Sequence, residues 1–305
     1  MINRRVVLVL GAGASNPYGF PLAGEMIQKA VAGEQNLVPR LTELGFHKPD
    51  VEVFLQEMLK SQLPSIDAFL EHRPEFLDVG KATLAFYVIL REDENELLNL
   101  RNREHWYRYL YGLMKTIRLH EFSRNKLSIV TFNYDRSLEH YLATALMASH
   151  GKSLQDVLQV LNALPIVHVY GKLGELPGRG ADGRPYNTEL TPDSLEKAIG
   201  GIRIVSEGTD HTSRFAPAHH LIANADEVVF LGFGYHRENV SRLELGQHMP
   251  NSARLTGTVV GFTHAELVEN VKPQFKGVPR DDLTENGQNV FDFLRGNLEL
   301  FGLEH

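Results

Sequence analysis

Val6-Val7-Leu8-Val9-Leu10 is an unbroken apolar run that ends at Gly11-Ala12-Gly13-Ala14-Ser15. A run this short and closed by glycine predicts a central parallel strand, buried on both faces. Residues 127–132, 165–170 and 227–232 read the same way, each leading into glycine, polar or helical sequence, and residues 256–262 predict a fifth strand. Strands separated by helical patterns call for a doubly wound parallel sheet, in which ligands gather beyond the carboxyl ends of the strands.

Between the first and second strands, residues 51–59, 75–90 and 104–122 carry apolar side chains at helical spacing, among them Leu84, Phe86, Tyr87, Leu90, Trp106, Tyr107, Leu110 and Leu113. These residues predict a helical lobe with an aromatic core. The expected organisation is a Rossmann-like domain over residues 1–34 and 123–302, interrupted by the lobe at 35–122. Residues 303–305 (Leu-Glu-His) resemble the scar of a purification tag. Residues 171–191, rich in glycine, proline and polar side chains, predict a mobile loop.

At 305 residues, with 43% hydrophobic and 23% charged positions, the chain can bury a large core. A formal net charge of −7 without a basic cluster argues against direct nucleic-acid binding. The absence of cysteine excludes disulfides, thiolate catalysis and a cysteine–zinc module. His211, His219 and His220 lack an established ligand spacing, so no metal is expected. Arg4 and Arg5 precede an apolar run shorter than the roughly 7–15 residues of a signal h-region. No stretch nears the ~18–20 apolar residues of a membrane span. The expectation is a cytoplasmic protein.

Four segments carry candidate chemistry, each with a plain structural alternative. Gly11-Ala12-Gly13 lets a backbone approach a pyrophosphate, or simply makes a tight turn; Asn16 stands where G-x-G-x-x-G has its third glycine. A helix opening soon after would point free N–H groups at the phosphate. In Thr131-Phe132-Asn133-Tyr134-Asp135, Asp135 reads as a cap of a helix over 136–148, and Asn133 as a turn residue or a grip on ribose or water. On a strand, His168 and Tyr170 would share one face. Gly232-Phe233-Gly234 repeats the close-approach theme. An ordinary dehydrogenase is disfavoured, because no acidic ribose ligand follows the glycine turn by about 20 residues.

Taken together, these segments resemble sirtuin-type NAD-binding domains. Gly11 to Ser15, continuing through Gly19-Phe20-Pro21, is similar to G-A-G-x-S followed by G-I/F-P. Residues 131–135 look like T-Q-N-x-D, residues 168–174 like the strand ending in H-G-S-L, and residues 231–235 like the later G-T/Y-S/G loop. The four occur in family order from about Val6 to Phe262. By resemblance, Asn133 holds ribose or water and Asp135 binds ribose or orders its loop. Gly11, Ala12, Gly13 and Ser15 cradle the pyrophosphate, and Gly232, Phe233 and Gly234 face adenosine. Gly19, Thr131, Gly171 and Asn239 complete the implied NAD-contacting set.

The departures select a branch. The zinc cysteines are missing, Leu22-Ala23-Gly24 replaces D-F-R, and Phe132 replaces glutamine. Phe-Asn-Tyr-Asp, the helical insert and the 65–71 stretch (Ser-Ile-Asp-Ala-Phe-Leu-Glu) resemble the bacterial anti-phage defence branch. That branch implies NAD hydrolysis to nicotinamide and ADP-ribose, with NAD as substrate and no metal. It also implies homo-oligomers or a partner ATPase, sensor or Argonaute-like protein. Tyr170 aligns with the family's catalytic histidine, so either His168, two residues earlier, supplies the imidazole or the site runs on Asn133 and the Tyr170 hydroxyl. The second reading is a non-catalytic NAD or ADP-ribose-binding module.

Overall fold

The computed structural model describes residues 1–179, 183–204, 211–278, 282–283 and 287–303. Glu304 and His305, and with them most of the supposed tag scar, lie outside these residues, as do the side chains of residues 211 and 212. Five parallel strands, β1 (Val6–Leu10), β2 (Leu127–Thr131), β3 (Ile166–His168), β4 (Glu227–Leu231) and β5 (Arg254–Gly257), form one sheet in the order β3-β2-β1-β4-β5. β1 and β4 are buried at every position, as strands covered on both faces must be. The chain winds outward from β1 through β2 to β3, then returns to β4 on the other side of β1. That order is the doubly wound, Rossmann-like one, with its switch point between β1 and β4.

Two strand ends differ from expectation. β3 stops at His168 because the Gly171 N–H donates to the His168 carbonyl and closes a turn over Val169-Tyr170. Gly171 sits at φ 74, and a Cβ there would lie 2.0 Å from the Gly201 oxygen. β5 begins earlier than expected, at Arg254, whose guanidinium donates to Glu227 of β4 at 2.9 Å. It ends at Gly257, before the turn in which Phe262 N–H donates to the Val259 carbonyl.

The helical stretch contains Lys48–Ser61, Ile66–His72, Leu77–Ile89 and Trp106–Met114. Leu77–Ile89 is buried from Val79 through Ile89, which makes it the centre of this region. Gly80 lets the Leu70 side chain pack close, since a Cβ there would sit 2.5 Å from it and make it shift. The helix Ala23–Val31 packs on these helices, and Pro192–Gly201 packs on Leu77–Ile89. One continuous apolar core runs through strands and helices alike.

The sequence predicts a mobile loop over 171–191, of which residues 180–182 lie outside the described residues; a charged knot ties its Glu175, Arg184 and Pro185 to the rest. Arg136 and Arg184 are fully buried, and both donate to the fully buried Glu92 at 2.5–3.0 Å. Arg136 also donates to the carbonyls of Glu175, Arg184 and Pro185. Removing one partner of such a cluster strands the remaining charge in a low-dielectric interior. Glu92→Gln should therefore cost about 3–5 kcal/mol in urea unfolding. A loss under about 1 kcal/mol would mean that the carbonyls alone suffice for the two guanidiniums.

Candidate functional site

A cavity of about 820 Å³ opens at the carboxyl ends of the strands, within the usual range of small-molecule sites. All five strands deliver residues to it: Gly11 and Gly13 after β1, Phe132 to Asp135 after β2, Tyr170 after β3, Gly232 to Gly234 after β4, and Thr258 after β5. The helix Ile66–His72 supplies the facing wall through Asp67 and Glu71.

The floor is a contact between two backbones. The Gly13 N–H donates to the Gly232 carbonyl at 2.9 Å, and Gly11 N–H donates to Leu231 at 3.1 Å. A Cβ on Gly11 would lie 2.6 Å from the Gly232 oxygen, and one on Gly13 2.9 Å from the Gly232 Cα. Gly232 itself adopts φ 57, with no room for a side chain against Ala14 N. The close approach served by Gly11 and Gly13 is thus to the β4 turn. The helix that opens there spans only Ala12–Ser15, too short for a sizeable dipole. The next, Ala23–Val31, starts beyond Pro21 and Leu22.

Asn133 is clamped by its amide nitrogen, which donates to the Gly11 carbonyl at 2.9 Å and to Ser15 Oγ at 3.0 Å. A carbonyl can only accept, so the orientation of the amide is settled and Oδ1 is the group left to offer a ligand. Ser15 in turn donates to Asp135 Oδ2 at 2.7 Å. Ser137 donates to Asp135 Oδ1 through its N–H at 3.1 Å and also through its hydroxyl. Burial pushes the Asp135 carboxyl up, against the pull of these hydrogen bonds. Asp135 therefore tethers the start of the helix Ser137–His150, and it also lines the cavity.

Tyr170 and His168 do not share a face, because strand alternation ends at His168. Tyr170 lines the cavity; its hydroxyl donates to Asn239 Oδ1 at 2.6 Å and accepts from Arg242. Burial pushes this phenol up to about 12, with Arg242 opposing. It is protonated at neutral pH and cannot act as a base there. His168 lies off the main cavity: Nδ1 meets the Asn133 carbonyl at 2.9 Å and Nε2 meets Glu139 at 2.8 Å. Burial works to raise the Glu139 carboxyl, but His168 and Lys172 outweigh it and hold it at about 2. The imidazole is spent on anchoring the Asn133 loop.

Of the other expected contacts, Ala12, Phe233 and Asn239 line the cavity, whereas Gly19, Thr131 and Gly171 do not. Thr131 Oγ1 accepts from Asn133 N–H beneath the loop, and Gly19 ends a short helical turn in the left-handed region. Sequence reading did not assign site roles to Asp67, Glu71, Tyr134 and Arg242. Tyr134 donates to Asp67, and Arg242 reaches Glu71 at 3.4 Å, so two polar clasps join the helix Ile66–His72 to the loop after β2 and to the helix Arg237–Arg242. Burial pushes the Asp67 carboxyl up despite the Tyr134 hydrogen bond. The i, i+4 spacing of Asp67 and Glu71 on one helix face was the available signal.

No family model and no curated relative matches the sequence. Among solved structures, the chain is similar to a Sir2 protein in complex with the inhibitor EX-527, 2'-O-acetyl-ADP-ribose and a deacetylated p53 peptide. The TM-score is 0.42 and the identity 15%, over 99% of this chain and 95% of that one. A sirtuin solved for the basis of substrate affinity (TM-score 0.40, 15% identity, 99% and 94% covered) and Sir2Tm bound to a propionylated peptide (0.37, 15%, 99% and 94%) are also similar. The fold assignment rests on strand order and register. No helix among the described residues is long and apolar enough to cross a membrane.

Two outcomes follow from this geometry. Gly13→Val should lower the melting temperature, because its side chain meets the Gly232 backbone; unchanged melting with lost ligand binding would return Gly13 to a purely ligand-facing role. Glu139 has a folded pKa of about 2, below its ordinary 4.5, so its stabilisation is full above 4.5 and is lost as pH falls towards 2. The urea-stability gap between wild type and Glu139→Gln should narrow across that window. A gap constant from pH 4.5 to 2 would show that the ion pair with His168 does not carry it.

Proposed function

We propose that the protein hydrolyses NAD at the bond between nicotinamide and ribose, giving nicotinamide and ADP-ribose. The observation that carries this reading is the fixed Asn133 amide, whose one uncommitted oxygen belongs to a residue lining the switch-point cavity. An oxygen so held can accept a hydrogen bond from a ribose hydroxyl or from the attacking water. The cationic nicotinamide leaves without protonation, so the site must chiefly steady an oxocarbenium-like transition state and place water. Asp67 and Glu71 add carboxylates to the cavity wall. Phe132, Tyr170 and Phe233 form an edge-on aromatic group that gives the cavity an apolar lining.

The sequence motifs extend the proposal to an effector of anti-phage defence in the cytoplasm, acting as a homo-oligomer or with a partner ATPase, sensor or Argonaute-like protein. A non-catalytic NAD or ADP-ribose-binding module is the second reading. Two observations favour it: Tyr170 is held protonated, and His168 is engaged with Glu139.

Incubation with NAD, with nicotinamide followed by chromatography, separates the two. Asn133→Ala should lower turnover by roughly 10²–10³-fold, the range for a preorganised hydrogen-bonding group, while leaving most of the calorimetric NAD affinity. Tyr170→Phe should chiefly weaken binding, since it frees Asn239 and Arg242. NAD binding without any nicotinamide release from wild type would establish the binding module.

A further inference from the structure

Behind the Arg242 corner of the cavity, the helix His211–Ala223 packs on the short helix Leu245–His248. Their contact gathers His219, Glu244 and His248, with one ligand-type atom of each within 4.8 Å of the others. His219 is buried, whereas Glu244 and His248 are half-buried. The sequence reading grouped His219 with His211 and His220; the fold pairs it instead with residues 25 and 29 positions downstream.

Three features set this cluster apart from an ordinary surface group. His219 Nε2 lies 2.9 Å from the Arg242 carbonyl, which can only accept, so Nε2 is the donor and Nδ1 is the nitrogen left to ligate in the neutral ring. Metal-ligating histidines are held in this way, one nitrogen donating to a carbonyl while the other binds. Glu244 adopts φ 46 and ψ 41, a left-handed conformation that side-chain-bearing residues rarely take and that aims its carboxylate from a turn. The His248 ring stacks on His219 at 4.3 Å between centroids, and its Nε2 lies 3.2 Å from Glu244 Oε2.

Two imidazoles with one carboxylate suit zinc, whereas calcium and magnesium prefer oxygen ligands. Zinc binds nitrogen and carboxylate oxygen at roughly 2.0–2.2 Å, so two ligand atoms on one ion stand at most about 4.4 Å apart. Closing the present spread requires the half-buried Glu244 and His248 side chains to rotate, and His248 to leave its stack on His219 so that both rings aim a nitrogen at the ion. We propose that His219, Glu244 and His248 bind one zinc ion, with water in the fourth position, and that this ion braces the Arg242 end of the cavity.

The mechanical link is direct. A metal on Nδ1 makes the His219 Nε2–H a stronger donor to the Arg242 carbonyl. The Arg242 side chain donates to the Tyr170 hydroxyl and to Glu71, both on the cavity wall. Zinc and cavity ligand are then coupled, and each changes the affinity of the other by the same factor. Zinc binding itself does not depend on what the cavity does chemically.

The test is calorimetric titration of chelator-treated, dialysed protein with zinc chloride, with thermal unfolding alongside. One zinc per chain and a raised melting temperature are expected, with no comparable response to magnesium or calcium. Glu244→Gln and His248→Ala should each weaken binding by at least about tenfold, while His47→Ala, an exposed histidine elsewhere, should not. Glu244→Gly removes the ligand while relieving the left-handed strain, so it keeps the fold and must also lose zinc. Folded wild type that takes up less than one zinc, or affinity unchanged in the Glu244 and His248 variants, would overturn the site.

Discussion

The backbone contact between the β1 and β4 turns is the constraint on which the rest of the site depends. β1 and β4 are parallel neighbours in register, so their chains leave the sheet in the same direction and must either splay apart or touch. Three glycines let them touch, with Gly11 and Gly13 against Gly232 and a hydrogen bond across the join. The closed floor then sets where Phe233 emerges, 5.0 Å from Phe132 between ring centroids, and Phe132 in turn meets Tyr170 at 5.5 Å. Residues after three strands are thereby positioned by one seam without a side chain in it.

The same turn orients the polar groups. Asp135, when ionised, only accepts, and its oxygens take hydrogen bonds from Ser15 and Ser137. Having donated to Asp135, the Ser15 hydroxyl is an acceptor for Asn133 Nδ2, which also reaches the Gly11 carbonyl. Tyr107 donates to Ser137 from the helical region and extends the chain to the other side. The outward direction of the Asn133 oxygen is therefore dictated by a buried carboxylate two residues along the chain and by a carbonyl at the end of another strand. Buried networks of this kind specify geometry because no member can turn without orphaning its neighbour.

The sheet was legible in the sequence because central parallel strands are continuous apolar runs and the turns after them need glycine. Strand ends were less legible. The turn at Val169-Tyr170 depends on a hydrogen bond from Gly171 and on Gly201 lying against it, and Gly201 is 30 residues away. For the same reason the anchoring of the 171–191 segment was not legible: composition cannot reveal that Arg184 and Arg136 share the buried Glu92. Gly11, Asn133, Asp135 and Gly232 were legible as cavity residues because each follows a strand directly. Glu71 and Arg242 were not, since each acquires its role from the other across 171 positions. His168 misled because a histidine at a strand end looks available; its partner Glu139 lies on the helix after the Asn133 loop.

Tyr170 stands where the sequence resemblance implies a histidine, and for the proposed reaction this changes the chemistry less than it first suggests. Imidazole could take a proton near neutral pH, and a phenol pushed up to about 12 cannot. Hydrolysis of NAD, however, does not require the leaving group to be protonated, because nicotinamide departs neutral from a cationic precursor. What remains is a proton to be shed by the attacking water, and this loss comes late if the transition state is oxocarbenium-like. On the proposed reaction, Asn133 Oδ1 would accept from the incoming water, and Glu71 and Asp67 would offer acceptors near the developing positive charge. Glu71 shares its negative charge with Arg242, and burial raises the proton affinity of Asp67. The tyrosine hydroxyl, fixed between Arg242 and Asn239, offsets part of that negative field through the guanidinium it holds. On the proposed reading, the balance between this cation and the two carboxylates, more than an imidazole, would separate a cavity that turns NAD over from one that only retains it.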